Sequence, residues 1–209
     1  MKIAVIGAGV SGLGAAWLLS RRHDVVVYER ENRFGGHSCT IEAPTRQGRL
    51  PVDVGFIVYN ERNYPNLIAL FDHLGVPTAP SDMPFAVSLA EGGPEYASSF
   101  AGSFAQRSNL LNPRFIRMLR DLLRFNALCT RIAIANQDTE LMQPLANFLE
   151  LHRFSAEFRD WYFLPMLGCI WSCPTDQMLE FPVSTMIRFC HNHGLIQVSN
   201  RPQWWTVAG

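Results

Sequence analysis

The sequence predicts an α/β fold that begins with a parallel strand–helix–strand unit and continues into a mainly helical region. Two observations support this prediction: strands and a helix alternate around a glycine-rich turn in the first thirty residues, and helical patterns follow Asn112-Pro113. Of the 209 residues, 48% are hydrophobic and 17% charged, which excludes a disordered chain because so large an apolar fraction can bury a core. The 18 basic and 18 acidic residues cancel, so we expect no nucleic-acid partner.

The first elements form one βαβ unit. Residues 2–7 are a short β-branched run that ends in glycine, which is typical of a fully buried parallel strand. Residues 11–19 predict a helix, and residues 24–29 predict a second buried strand. The uncharged run 3–20 is also how a signal peptide or membrane span begins. Its four glycines oppose both alternatives, because each weakens a helix by about 0.8–1 kcal/mol relative to Ala.

The turn after the first strand contains the GxGxxG fingerprint at Gly7, Gly9 and Gly12. Gly7 permits a tight turn, Gly9 lets the backbone approach a pyrophosphate, and Gly12 lets the helix pack closely on the strand. The anion would lie at the helix N-terminus, where backbone N–H groups meet it. Glu29 ends the second strand and can accept hydrogen bonds from both hydroxyls of an adenosine ribose. These residues predict a Rossmann-like dinucleotide site for an unphosphorylated ribose.

The residues after Glu29 favour a flavin over a nicotinamide cofactor. The element Arg33-x-Gly35-Gly36 begins four residues after this acid, where a nicotinamide dehydrogenase has no reason for a second glycine pair. Gly35 and Gly36 would let the backbone come close to the diphosphate or ribityl chain of a flavin, and Arg33 offers a fork for phosphate. The alternative is a mobile Gly-Gly turn with a solvated arginine.

Together with Asp53-x-Gly55, these motifs resemble the flavin-containing amine oxidase and phytoene desaturase superfamily, and residues 54–60 are similar to its predicted NAD/FAD-binding branch. The resemblance is strongest over residues 1–77 and implies that this region binds FAD. It implies the following residues as the FAD-binding set: Gly7, Gly9, Val10, Ser11, Gly12, Glu29, Arg30, Arg33, Gly35, Gly36, His37, Gly55 and Phe56.

The chain departs from the family pattern at two positions and lacks the family's lysine. Amine oxidases usually place Arg directly after the glycine pair, where this chain has His37, and they often have Gly where this chain has Phe56. They commonly use a lysine bridged by water to the flavin, whereas the only lysine here, Lys2, begins the first strand. No catalytic residue is therefore assigned from the sequence.

The rest of the chain predicts a second, mainly helical region. Residues 63–75 have a polar cap, a proline in the first turn and a glycine stop, which predict a helix. Residues 76–105 predict short strands joined by turns. Later helices, around residues 143–153, 155–171 and 184–192, are rich in apolar side chains.

In the family, such helices build a substrate domain over the reactive flavin ring. The resemblance thus implies a Rossmann-like FAD/NAD(P)-binding domain at 1–77, an inserted, mainly helical α+β substrate domain at 78–194, and a return segment toward the FAD domain at 195–209. The family's C-terminal Gly-Asp flavin cap is not in this sequence, so we expect the chain to be a truncated protein or gene fragment.

One helix after Asn112-Pro113 has a basic face. At 100° per residue, its arginines fall within a stripe of about 120°. They are Arg114, Arg117, Arg120, Arg124 and Arg131. This face could make a peripheral contact with an anionic membrane or steer an acidic substrate. The alternative is a solvated face whose arginines pair with acids of residues 50–100.

The cysteines and histidines do not predict a metal site or a disulfide framework. Cys169 and Cys173, followed by His191 and His193, lack a usual zinc spacing. Five cysteines are an odd number and are widely spread, which favours a reduced, cytoplasmic setting.

These observations predict an FAD-dependent oxidoreductase that transfers a hydride from an amine or an apolar C–H bond to the flavin. Its partner would be a small-molecule substrate, amine or lipid-like, and the cofactor would supply the redox chemistry. Two alternatives remain open: a nicotinamide-dependent dehydrogenase, and a truncated nucleotide-binding protein without turnover.

Overall fold

The computed structural model describes residues 1–89, 92–135, 142–171, 173–197 and 201–208. The chain divides into two compact units. The first contains Met1–Tyr59, Val76–Ala79 and Thr206–Gly209, and the second contains Asn60–Gly75 and Pro80–Trp205. The domain bounds expected from the sequence, at residues 77 and 194, stay predictions. Parts of the predicted segments 78–194 and 195–209 lie outside the described residues.

The first unit opens with the predicted βαβ arrangement. Its elements are β1 (Lys2–Ile6), α1 (Val10–Ser20), β2 (Asp24–Tyr28), β3 (Thr40–Thr45) and β4 (Gly48–Asp53). β1 and β2 are parallel, with Lys2 opposite Asp24 and Ile6 opposite Tyr28, and α1 packs on both strands. β3 and β4 form an antiparallel hairpin.

The prediction that the first two strands are fully buried is wrong. Every second residue of β1 and β2 is exposed, and the Ile6 side chain reaches 80% exposure. α1 packs on one face of this two-stranded sheet, and the side chains that alternate to the other face stay accessible. A continuous apolar run therefore indicates a strand here without indicating burial on both faces.

A three-stranded sheet has a strand from the end of the chain at its centre. Its order is β5 (Tyr59–Asn60), β9 (Trp204–Val207) and β6 (Thr78–Ser81). The Thr206 hydroxyl donates a hydrogen bond of 2.8 Å to the Ile57 carbonyl, and Ala208 N–H donates one of 2.9 Å to the Pro77 carbonyl. The last described residues thus return to the first unit.

The second unit is mainly helical. Its elements are α2 (Pro65–Leu74), β7 (Ala86–Ser88), β8 (Glu95–Ala97), α3 (Phe100–Ser103), a 3-10 helix (Arg107–Leu111), α4 (Pro113–Ala135), α5 (Leu145–Leu151), a π-helix (Phe158–Phe163), α6 (Leu164–Trp171), α7 (Thr175–Met178) and α8 (Val183–Asn192). Its largest core cluster is aromatic at the centre, where Phe125 packs against Phe148, Phe158 and Phe163.

The helix predicted at residues 63–75 is present as α2, but its start differs from the prediction. The N-cap is Tyr64, and no described side chain caps the first turn. Pro65 supplies the start, because its fixed φ suits the first helical position and it lacks the N–H that would need a cap. The predicted glycine stop is confirmed, since Gly75 has φ 66°.

The arginine face of α4 pairs with acids other than those expected. Arg114 Nε lies 2.8 Å from Glu157 Oε1, and Arg117 Nη1 lies 3.8 Å from Glu157 Oε2. Arg124 Nη1 lies 3.1 Å from Asp121 Oδ1 on the same helix. For these three arginines, the expected pairing with acids of residues 50–100 is wrong. Asp121 and Glu157 are buried, so the pairs stabilise the packing of α4.

We expect Glu157→Gln to lower the free energy of unfolding by about 1–2 kcal/mol at neutral pH, because a buried charge-assisted hydrogen bond is lost while Arg114 stays partly solvated. The Arg114 hydrogen bond holds the pKa of Glu157 below its ordinary value of 4.5. The carboxylate therefore stabilises the fold above that value, and its contribution disappears as pH falls through the lowered pKa.

Urea denaturation of wild type and variant at pH 7 and in acid measures this difference. The gap between the two proteins should shrink in acid. Glu150→Gln, on the exposed side of α5, is the matched control and should change little at either pH. A gap of the same size at both pH values would contradict the role assigned to the Glu157 charge.

Candidate dinucleotide site

The GxGxxG turn has the geometry predicted for Gly7 and Gly12. Gly7 has φ 96°, in the left-handed region, and its N–H donates a 2.7 Å hydrogen bond to the Tyr28 carbonyl. A Cβ at position 12 would overlap the Gly7 carbonyl oxygen, so α1 approaches the turn at a distance that only Gly12 permits. The turn and the start of α1 thus depend on these residues being glycine.

The N-terminus of α1 is open to an anion. Gly9 is its N-cap, no described side chain caps it, and its first turn contains no acid. A Cβ at position 9 would have Gly36 Cα, at 3.9 Å, as its nearest described neighbour. The backbone N–H groups of the first turn therefore have no described side-chain cap, which leaves them available to a diphosphate.

Glu29 lies directly beside this turn. Its Oε2 accepts a 2.6 Å hydrogen bond from Ala8 N–H, and its Oε1 accepts one of 2.9 Å from Glu31 N–H. The backbone hydrogen bonds from Glu31 and Ala8 hold the pKa of this carboxyl below its ordinary value. Each carboxylate oxygen keeps a free lone pair, so the group can still accept hydrogen bonds from ribose hydroxyls.

The second glycine element packs directly on the first. Gly35 N–H donates a 2.8 Å hydrogen bond to the Ala8 carbonyl, and Gly35 forms a parallel bridge with Gly9. Gly36 has φ 59°, and a Cβ there would lie 2.9 Å from Gly9 Cα. The two glycine segments therefore approach each other backbone to backbone, which side chains at these positions would prevent.

Arg33 contacts the loop itself in this structure. Its Nη2 donates a 2.7 Å hydrogen bond to the Gly36 carbonyl, and its Nη1 donates one of 3.4 Å to the Ser38 carbonyl. These contacts hold the loop around the glycine pair in its bend. The predicted contact of Arg33 with a phosphate stays a prediction. Arg30, in contrast, is highly exposed and pairs with Glu31 at 3.0 Å.

Gly55 connects a third segment to the site. Val54 N–H donates to the Cys39 carbonyl at 2.8 Å, and Phe56 N–H donates to the His37 carbonyl at 3.2 Å. A Cβ at Gly55 would overlap that same His37 oxygen. The side chains of His37 and Phe56 are both exposed, so they are accessible to a ligand.

The structure thus joins most of the predicted cofactor residues through backbone contacts within the first unit. Val10, Ser11 and Arg30 lie in the same segments with exposed side chains. The sequence did not single out Ala8, which is fully buried and connects the elements: its N–H binds Glu29 and its carbonyl accepts from Gly35. These are main-chain contacts, which the residue types in a sequence do not indicate.

A polar cluster in the second unit also escaped the sequence analysis. His193 Nδ1 lies 3.0 Å from the Phe189 carbonyl oxygen and 3.4 Å from Asn63 Nδ2, and Nε2 lies 3.3 Å from the Tyr64 hydroxyl. Burial lowers the pKa of His193. The histidine stacks on Phe189 at 3.9 Å and is a packed, neutral side chain.

The described residues hold no group of three His, Cys, Asp or Glu side chains that could bind a metal ion. All five cysteines are free, and burial raises the pKa of the Cys190 thiol to about 12, which makes it unreactive. Among the described helices, none combines the length and the apolar character needed to cross a membrane.

Sequence comparisons match parts of the chain. Residues 5–74 match the family described as NAD(P)-binding Rossmann-like domain. A protein of Mycobacterium tuberculosis that bears the name flavin-containing monoamine oxidase AofH is 37% identical over 82 residues, which are 39% of this chain and 17% of that protein. A 4,4'-diapophytoene desaturase of Staphylococcus aureus is 57% identical over 37 residues, 17% of this chain and 7% of the relative.

Solved structures match almost the whole chain in fold. Cyclohexylamine oxidase from Brevibacterium oxydans has a TM-score of 0.65 at 22% identity, over 100% of this chain and 46% of its own. A putrescine oxidase variant has a TM-score of 0.60 at 20% identity, over 97% and 45%. A fatty acid isomerase from P. acnes has 0.57 at 21%, over 98% and 46%.

The chain thus spans less than half the length of these structures. The predicted α/β fold with a Rossmann-like start and the predicted family resemblance are both confirmed. Residues 5–74 thus match the NAD(P)-binding Rossmann-like family, parts of the chain are similar in sequence to proteins named flavin-containing monoamine oxidase and diapophytoene desaturase, and the chain shares the fold of the matching part of solved amine oxidases.

Proposed function

We propose that the chain is the cofactor-binding part of an FAD-dependent oxidoreductase. The observation that supports this most strongly is the contact of the Gly35-Gly36 element with Gly9, which places a second glycine segment beside the pyrophosphate turn. A nicotinamide dinucleotide site is explained by GxGxxG and an acid alone. A second close backbone approach is useful to a cofactor that continues past the diphosphate, as FAD does.

The residues of the first unit divide the binding of FAD among them. The open N-terminus of α1, at Gly9, holds the diphosphate through its N–H groups. Glu29 accepts hydrogen bonds from the adenosine ribose, and its lowered pKa keeps it ionised at neutral pH, which disfavours a 2′-phosphate. Arg33 binds the Gly36 carbonyl and so holds the Gly35-Gly36 segment in its conformation.

The bound flavin supplies the redox chemistry by accepting a hydride from the substrate. The chain's own residues bind and orient it. We propose a small-molecule substrate with an amine or an apolar C–H bond, because the relatives include proteins named as oxidases of amines, a diapophytoene desaturase and a fatty acid isomerase. We also propose a cytoplasmic location, because all five cysteines are free and free cysteines are typical of a reducing compartment.

A nicotinamide cofactor is the second candidate, because the matching family is described as NAD(P)-binding. Titration of the purified chain with FAD and with NAD⁺ separates the two. We expect FAD to bind at one site per chain and to displace at most a trace of nucleotide already bound to the purified protein. NAD⁺ should bind far more weakly. Tighter binding of NAD⁺ than of FAD would contradict the proposal. Bleaching of bound FAD by an amine would distinguish an oxidoreductase from a nucleotide-binding protein without turnover.

Glu29→Gln should lower FAD affinity about 10- to 100-fold, because the charge-assisted hydrogen bonds to the ribose and to Ala8 are weakened. The matched control is Glu31→Gln, two residues away. The Glu31 side chain pairs with exposed Arg30, and its N–H, which the substitution keeps, is what binds Glu29. Isothermal titration of both variants is the measurement. Equal losses in the two variants would contradict a specific role for Glu29.

A further inference from the structure

α4 exposes a line of apolar side chains on the side opposite the core. Ile116, Leu123 and Ile134 are 44%, 60% and 73% exposed. At 100° per residue they fall within about 20° of one another, and they span about 27 Å of helix at 1.5 Å per residue. We call these three residues the α4 stripe. The other side of the helix is buried, where Phe115 and Phe125 belong to the core clusters.

Basic residues border the α4 stripe along one edge. Arg120 and Arg131 are exposed and lie within about 60° of it around the helix axis. The only acid in residues 113–135 is Asp121, which is buried. Within the described part of the chain, the ion pairs of the α4 arginines are those of Arg114, Arg117 and Arg124 with Glu157 and Asp121, and none of them involves Arg120 or Arg131.

This arrangement differs from ordinary scattered surface hydrophobic residues. Single exposed leucines or isoleucines are common and need no explanation. Here three of them lie in one line, and α4 has no acid on their side of the helix; Leu110 and Leu111, just before α4 begins, are exposed as well. An apolar line bordered by arginines is the pattern of a helix that lies in the plane of a membrane surface.

We propose that the α4 stripe and its arginines bind an anionic lipid surface, with α4 parallel to the surface. Charge complementarity selects this occupant, since Arg120 and Arg131 would contact anionic headgroups while the stripe enters the boundary of the acyl chains. The contact is peripheral, because α4 itself does not qualify as a membrane-crossing helix. The inference uses only the second unit and does not depend on FAD binding.

Co-sedimentation of the purified full chain with phosphatidylcholine vesicles, with and without phosphatidylserine, tests the proposal. We expect binding to the anionic vesicles only, weakened by salt. The double variant Arg120→Gln/Arg131→Gln should lower the partition coefficient about 30-fold, since each arginine near an anionic surface contributes roughly a factor of five. Leu123→Ser/Ile134→Ser should lower it about tenfold.

Matched controls come from exposed residues on other helices. Arg188→Gln, on α8, and Leu151→Ser, on α5, should keep wild-type binding. Circular dichroism establishes that every variant is folded. Absence of binding to anionic vesicles, equal binding to neutral vesicles, or equal losses in stripe and control variants would overturn the proposal. So would sedimentation showing that the α4 stripe mediates self-association instead, since its occupant would then be a second copy of the chain.

Discussion

Gly12→Ala is expected to lower the free energy of unfolding of the first unit by about 3 kcal/mol, the upper range for overpacking. The new Cβ would overlap the Gly7 carbonyl oxygen and lie 3.1 Å from its carbon. These are backbone atoms in a turn that the Gly7–Tyr28 hydrogen bond holds, so they cannot swing aside as a flexible side chain would. α1 must move off β1, or the turn must open.

The matched control for this prediction is Gly14→Ala, two residues further along α1. Outside the helix backbone, no described atom would lie within 4 Å of a Cβ there. The variant should be neutral or more stable by up to about 1 kcal/mol, because Ala is the better helix former. Hydrogen exchange across residues 2–28 measures both variants. Equal protection in the two would show that close packing at Gly12 does not limit stability.

The roles of Gly7 and Gly12 could be predicted from the sequence because each has one steric reason, and the structure contains both reasons. Gly7 occupies the left-handed region and Gly12 approaches backbone, whereas the predicted approach of Gly9, Gly35 and Gly36 to a cofactor stays a prediction. Because glycine has no side chain, a glycine in such a motif indicates a positive φ or a close approach of other atoms. The order of strands and helices in the first thirty residues follows in the same way from local patterns.

Several side-chain contacts could not be predicted from the sequence. The Arg33 guanidinium binds carbonyls of its own loop, and carbonyls are present at every residue; its predicted contact with a phosphate stays a prediction. Arg114 was expected to pair with acids of residues 50–100, yet the structure brings Glu157 beside it. The prediction that Ile6 is buried is wrong for a related reason. Whether a strand is covered on both faces depends on elements that the strand's own sequence does not specify.

Gly9→Ala should leave the fold intact and lower FAD affinity about 100-fold, which corresponds to about 2.8 kcal/mol. Gly9 has φ −75° and ψ 176°, which any residue adopts, and a Cβ there would have no described neighbour closer than 3.9 Å. The methyl group would occupy the space through which a diphosphate approaches the first turn of α1. Thermal unfolding together with FAD titration separates the two effects.

Gly36→Ala tests the same contact between Gly9 and Gly36, and the variant should lose both stability and FAD affinity. Its φ of 59° and the 2.9 Å approach of a Cβ to Gly9 Cα make Ala strained in the protein itself. Gly14→Ala should keep both stability and FAD affinity. Wild-type FAD affinity in Gly9→Ala would show that the diphosphate does not approach this turn. Loss of stability in Gly9→Ala would show that the glycine serves the fold, and the contact between the two glycine elements would then no longer argue for a cofactor.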